Sequence, residues 1–139
     1  MCTGLTLSTK DGKHFFGRNL DVPASYGQAV HIIPRNFNWT NVVTGETLTS
    51  KYACIAMAIV VDNHPLLFDG MNEKGLAGGG LNFTHFAKFS DEAVPDKTNI
   101  SAADFLYWAL ANFSDLTELR EALQNLVLTN IPVKPHLPV

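Results

Sequence analysis

The second residue of the chain is a cysteine, preceded only by Met1. A small side chain at position 2 favours removal of the initiator methionine, and the chain would then open on Cys2 with a free α-amine. An α-amino group titrates near ~7.7–8.0. It sits on the same residue as the thiol and can serve as its general base, directly or through a water. Ionised cysteine is a strong nucleophile, so the chemistry on offer is attack on a carbonyl carbon with a thioester intermediate. Two charged residues, Arg18 and Asp21, follow on the return strand of the first hairpin. Asp11-Gly12 signals a type I′ turn, which would pair residue i with roughly 23 − i. That register sets Asp21 opposite Cys2 and Arg18 opposite Leu5. Asp21 could then accept a hydrogen bond from the α-amine, and the positive charge of Arg18 would favour a thiolate. Read one at a time, a cysteine at position 2 is incidental and an arginine on a strand belongs to a surface pair. Their joint placement across one hairpin is what points to chemistry.

The elements that must position these residues are mostly strands. Thr3 to Thr9 alternates polar and apolar, and His14 to Leu20 returns with Phe16, Arg18 and Leu20 on one face. Ala29 to Ile33 makes a third strand, and Asn36 to Ser50 reads as a loop or irregular hairpin. Tyr52 to Val61 is nearly all apolar, the pattern of a strand covered on both faces. Asp62 to Pro65 is a turn. Leu66 to Met71 and Leu76 to Phe83 form two more strands joined through Asn72-Glu73-Lys74-Gly75. Gly78, Gly79 and Gly80 mark close approach by another backbone or a ligand. After a polar connection over Thr84 to Asn99, Ser101 and Asp104 offer a capping box. Phe105, Trp108, Ala109 and Phe113 then form a helical stripe. A second helix opens at Asp115 and Glu118, with Leu116, Leu119, Leu123 and Leu126 facing inward. The closing segment to Val139 carries three prolines at 132, 135 and 138. The expectation is an α+β chain of antiparallel strands followed by two helices. It forms one domain over residues 1–139 that is unfinished at its carboxyl end.

Composition narrows the function. The formal net charge is −3, and the ten Lys and Arg are scattered without a cluster, which disfavours nucleic acid as a partner. The apolar run Ala53–Val61 spans nine residues, too short for a membrane-spanning helix. No signal-peptide pattern opens the chain, so a cytoplasmic location is expected, where the two cysteines, Cys2 and Cys54, would remain thiols. Cys54 reads as a small buried hydrophobe. The histidines at 14, 31, 64, 85 and 136 lack metal-ligand spacing, and Gly78-Gly79-Gly80 lacks the Lys-Ser/Thr of a phosphate loop. No metal or cofactor is expected. Asn82, taken alone, reads as a turn residue at a strand end. The loop Val22 to Gln28, beside Asp21, is a suspected wall of an apolar substrate pocket.

Four motifs occur in order: Met-Cys-Thr-Gly at the start, Phe-Gly-Arg-Asn-Leu-Asp at 16–21, Asn-Glu-Lys-Gly-Leu at 72–76 and Gly-Leu-Asn-Phe at 80–83. Together they resemble the choloylglycine hydrolase family of N-terminal nucleophile hydrolases, which includes bile salt hydrolases and penicillin V acylases. The resemblance implies the amino-terminal portion of an αββα four-layer sandwich. It implies Cys2 as nucleophile and Arg18 and Asp21 as its polar supports. It gives Asn82 the role of an oxyanion donor, which suits a neutral amide N–H aimed at developing negative charge. Asparagine rather than tyrosine at 82 tilts the substrate towards glycine- and taurine-conjugated bile salts, with penicillin V acylase or an inactive fragment as alternatives. Family members are longer and bring a further asparagine and arginine from beyond residue 139. They also imply a homo-oligomer, a tetramer, in the full-length form.

Overall fold

In the computed structural model, residues 2–81, 83 and 85–133 are described. The first two strands, β1 (Thr3–Ser8) and β2 (His14–Asn19), form an antiparallel hairpin. Its turn is not type I′. Gly12 has φ +81° while Asp11 stays in the ordinary region. Gly12 N–H bonds Thr9 O at 3.1 Å and Thr9 N–H bonds Lys13 O at 2.9 Å. This is a type I turn closed by a left-handed glycine, a loop one residue longer than the two-residue form. The longer loop shifts the register: Thr3 pairs with Asn19, Gly4 with Arg18 and Leu5 with Gly17. Arg18 therefore opposes Gly4 rather than Leu5. A type I′ turn does occur, at Asp62 (φ 49°) and Asn63 (φ 63°), between the two longest strands.

Those strands are β6 (Cys54–Val61) and β7 (His64–Asn72), the centre of a four-stranded antiparallel sheet in the order β3-β6-β7-β8, with β3 at Ala29–Ile33 and β8 at Ala77–Gly79. Among the described residues of the expected Leu76–Phe83 strand, Ala77–Gly79 form the ladder, with Met71, Gly70 and Asp69 of β7, and Gly80 N–H donates to Phe68 O at 2.8 Å. The expected loop at Asn36 to Ser50 contains a short hairpin, β4 (Asn38–Thr40) with β5 (Thr47–Thr49). It carries Trp39 into the core, 3% exposed.

The helical region departs from expectation in three ways. Ser101 does not cap: its hydroxyl donates to Ile131 O at 2.7 Å, and Asp104 pairs with His64 Nε2 at 2.7 Å. A single 3-10 turn, Ala102–Asp104, leads into α1 (Phe105–Asn112). Tyr107 to Ala111 are all buried, as in a helix covered all round. The second helix, α2 (Leu116–Leu123), is capped by Asp115, which accepts from the Thr117 and Glu118 N–H groups. It buries no residue, and Leu116 and Leu123 are exposed. Leu126 lies in a strand instead. That strand, β10 (Leu126–Thr129), runs parallel to β9 (Thr98–Ser101). Parallel neighbours need a long crossover, and both helices supply it.

Alternation along the central sheet separates its faces. Cys54, Ala56 and Ala58 of β6 are buried, and α1 packs on β7 and β8. The other face carries Val30, Ile32, Ile55 and Met71, and all four are exposed. The apolar run Tyr52–Val61 is thus covered on one face, not two, among the described residues. Some buried polar groups are paired across layers. Tyr107 and Ser50 hydroxyls lie 2.6 Å apart. Asn72 donates to Leu110 O and Phe113 O and accepts from Lys74 and Leu76 N–H, tying the β7–β8 turn to the end of α1.

Candidate active site

Cys2 sits just ahead of β1 and is half-buried. Asn19 Oδ1 accepts from Thr3 N–H, which clips the start of β1 to the end of β2. The chain then runs on to Asp21, whose main-chain oxygen lies 3.9 Å from Cys2 Sγ. The hairpin therefore brings Cys2 and Asp21 together, as the sequence led us to expect, through a register one residue removed.

Arg18 reaches the same end of the molecule by another route. Phe16 and Arg18 share a face of β2, which lies against β8. Gly79 makes this approach possible. A Cβ there would stand 3.2 Å from Phe16 Cζ, 3.5 Å from Arg18 Nε and 3.4 Å from Asp69 Cβ. Arg18 Nη2 donates to Gly80 O, and Nη1 lies 3.6 Å from Asp69 Oδ2. The Arg18 side chain is only 5% exposed, a buried permanent cation. Leu81 packs on the hairpin at Gly4, so the chain leading towards position 82 is held against β1. Asn82 itself lies outside the described residues.

A cleft of about 1140 Å³ opens between the hairpin and the bare face of the central sheet, with Phe15, Phe16, Arg18, Ile55, Asp69 and Met71 in its wall. The suspected loop Val22 to Gln28 is not part of this wall. It folds over β7, where Tyr26 stacks on Phe68 with ring centroids 6.2 Å apart. The sequence reading missed Asp69. Its signal was an acidic residue inside the apolar segment Leu66–Met71. Among the described residues no three His, Cys, Asp or Glu side chains are grouped to hold a metal ion, and no helix is long and apolar enough to cross a membrane.

Cys54, the second thiol, is 3% exposed. Burial pushes its pKa up to about 11, with the charge of Glu73 adding to the effect. It is a core residue. Glu73 is held down to about 2 by its hydrogen bonds from Arg35 and then from the Ala53 N–H.

A layered α+β chain of mainly antiparallel strands, with a half-exposed Cys2 beside Asp21, has the fold of the N-terminal nucleophile hydrolases. Comparison with known proteins agrees. The chain is 48% identical to a bile salt hydrolase/transferase of Clostridium perfringens over 138 residues, 99% of this chain and 42% of that protein. A solved structure of the C2A mutant conjugated bile acid hydrolase from Clostridium perfringens superposes with a TM-score of 0.92 at 47% identity, over 100% of this chain and 42% of that one. Penicillin V acylase from Agrobacterium tumefaciens shares the fold, with a TM-score of 0.74 at 18% identity, over 94% of this chain and 40% of that one. The chain thus spans less than half the length of the curated relatives it matches. Residues 2–137 match the family model of linear amide C–N hydrolases, choloylglycine hydrolase family, and the chain belongs to that family.

Proposed function

We propose that these residues are the amino-terminal part of a single hydrolase domain that cleaves non-peptide amide bonds, with glycine- and taurine-conjugated bile salts as substrates. The observation that carries this reading is the position of Cys2, whose sulfur lies 3.9 Å from the Asp21 main chain at the mouth of a hairpin that also carries Arg18. The apolar face left bare on the central sheet, and the greater length of the relatives, support a further layer in the complete domain.

Removal of Met1 would free the Cys2 amine. That amine takes the thiol proton, and the sulfur attacks the amide carbonyl carbon, forming the C–S bond as the C=O π pair moves to oxygen. Asn82 and a backbone N–H would stabilise the oxyanion. Collapse expels the amine, which takes its proton from the Cys2 ammonium. Water then hydrolyses the thioester, releasing the acid and restoring the thiol. Arg18 and Asp21 hold the Cys2 end in place. No step calls on a cofactor or metal. We place the protein in the cytoplasm, acting on a small molecule, with a homotetrameric full-length form.

The test is replacement of Cys2 by Ala in a form completed to the length of its relatives. Release of glycine or taurine from conjugated bile salt should cease, and unchanged release would remove the nucleophile assigned. Intact mass should lack methionine. A second reading, penicillin V acylase, is favoured by the shared fold. Side-by-side rates on glycocholate and penicillin V decide between them. The 139-residue chain by itself should turn over little substrate, since the resemblance puts two further site residues beyond it.

A further inference from the structure

We propose that Asp69 is the positioning residue for Arg18, holding its guanidinium at the wall of the cleft, an inference that rests on the Cys2 mechanism above.

Three observations converge on it. The first is a bulge. β6 and β7 pair Met57 with Asp69 but Ala58 with Leu67, so Phe68 is an extra residue on β7. Bulges re-aim side chains. Leu67 is buried, and regular alternation would send Asp69 into the same core. The extra residue instead turns Asp69 onto the bare face with Met71 and leaves Asn72 buried. Phe68 is anchored in turn by the Tyr26 ring. The second observation is charge. Arg18 is almost wholly buried, and its Nε and Nη1 lack a hydrogen-bond partner among the described residues. A guanidinium cannot shed its proton to escape burial. It needs a compensating anion, and Asp69 Oδ2 stands 3.6 Å from Nη1. The third is space. Gly79, paired directly with Asp69, leaves the gap into which both side chains fit. Bulge, glycine and carboxylate serve one arrangement: a cation held in place from behind, with Arg18 and Asp69 both in the cleft wall.

The experiment measures kcat and KM separately for Asp69→Asn, Asp69→Glu, Arg18→Lys and the Asp69→Asn/Arg18→Lys double variant, in the form completed to the length of its relatives. Cys2→Ala is the reference. Asp69→Asn should lower kcat about tenfold or more with KM nearly unchanged. Asp69→Glu, which keeps the anion, should recover most of the loss. The double variant should be no worse than Arg18→Lys alone, because coupled residues are not additive. Independent, multiplying losses would overturn the proposal, as would an unchanged kcat in Asp69→Asn. A raised KM at constant kcat would also overturn it, making Asp69 a substrate contact. If Asp69→Asn does not fold, the Asp69→Glu variant decides: a folded protein with most of the wild-type kcat supports positioning by charge, and one whose kcat has fallen about tenfold or more contradicts it. Turnover that survives Cys2→Ala sinks the mechanism itself. Turnover lost there but indifferent to Asp69 sinks only this inference.

Discussion

Two cysteines in one short chain have opposite surroundings. Cys2 is half-exposed beside Asp21, whereas Cys54 is enclosed in the core with its pKa raised to about 11. A thiol protonated up to that range and closed off from solvent reacts slowly. Iodoacetamide near about pH 8, below the raised Cys54 value, should therefore modify Cys2 alone in the folded chain and both residues after denaturation. Peptide mass mapping reads the result, and early labelling of Cys54 would contradict the packing of β6. Asn72 is the other residue whose surroundings fix its role. It is 2% exposed and serves four main-chain groups at once. Asn72→Ala would strand those groups and should cost at least about 2 kcal/mol, seen as a lower denaturant midpoint.

Elements are joined by a few directed contacts rather than by length of pairing. Arg35, just after β3, pairs with Glu73 in the β7–β8 turn through Nε–Oε1 at 2.7 Å and a second bond, Nη2–Oε2. Glu73 also accepts from Ala53 N–H at 2.9 Å, ahead of β6. Three segments thus meet on one carboxylate. Its pKa is depressed, so the native state holds fewer protons there than the unfolded chain. The stabilisation is complete above the unfolded value of about 4.5 and disappears as pH falls through about 2. Glu73→Gln should lower the melting temperature near about pH 6 and converge with the parent near about pH 2. A difference that persists at the acid end would mean that the glutamate acts by packing. The loop Val22–Gln28 is held in a different way, by Gln28 Oε1 accepting from Tyr26 N–H at 2.9 Å and by the Tyr26–Phe68 stack.

The molecule as a whole has one finished face and one bare one. Behind the central sheet, α1 completes a core that includes Trp39, Ile100, Tyr107 and Leu110. In front, Ile32 is 78% and Val30 63% exposed, and β3 lies at the edge of the sheet. Burying one such side chain is worth about 1.5–3 kcal/mol, so a contiguous apolar face attracts another surface. The 139-residue chain should associate with rising concentration. Ile32→Lys with Val30→Thr should weaken that association in sedimentation velocity, and identical profiles would show that this face is not the one engaged.

Residue types and local pattern were legible in the sequence. A cysteine behind the initiator, a hairpin carrying Arg18 and Asp21, strands at Ala29–Ile33 and around the Asp62-Asn63 turn, and the Asp115 cap all follow from short-range rules. They depend only on neighbours, and so do the four motifs that mark the family. Other features turned on alternatives that the local pattern leaves open, or on interactions between segments distant along the chain. The hairpin register moved by one residue because Gly12 alone took the left-handed conformation. The parallel β9–β10 pair was invisible because its partners stand on either side of two helices. Asp69 came to face Arg18 because one extra residue in β7 reversed the alternation, and a single sequence does not reveal which strand will bulge. Local propensity settles which residues can do chemistry. Which of them meet is decided by register and layer packing, because those depend on surfaces contributed by segments far apart in the chain.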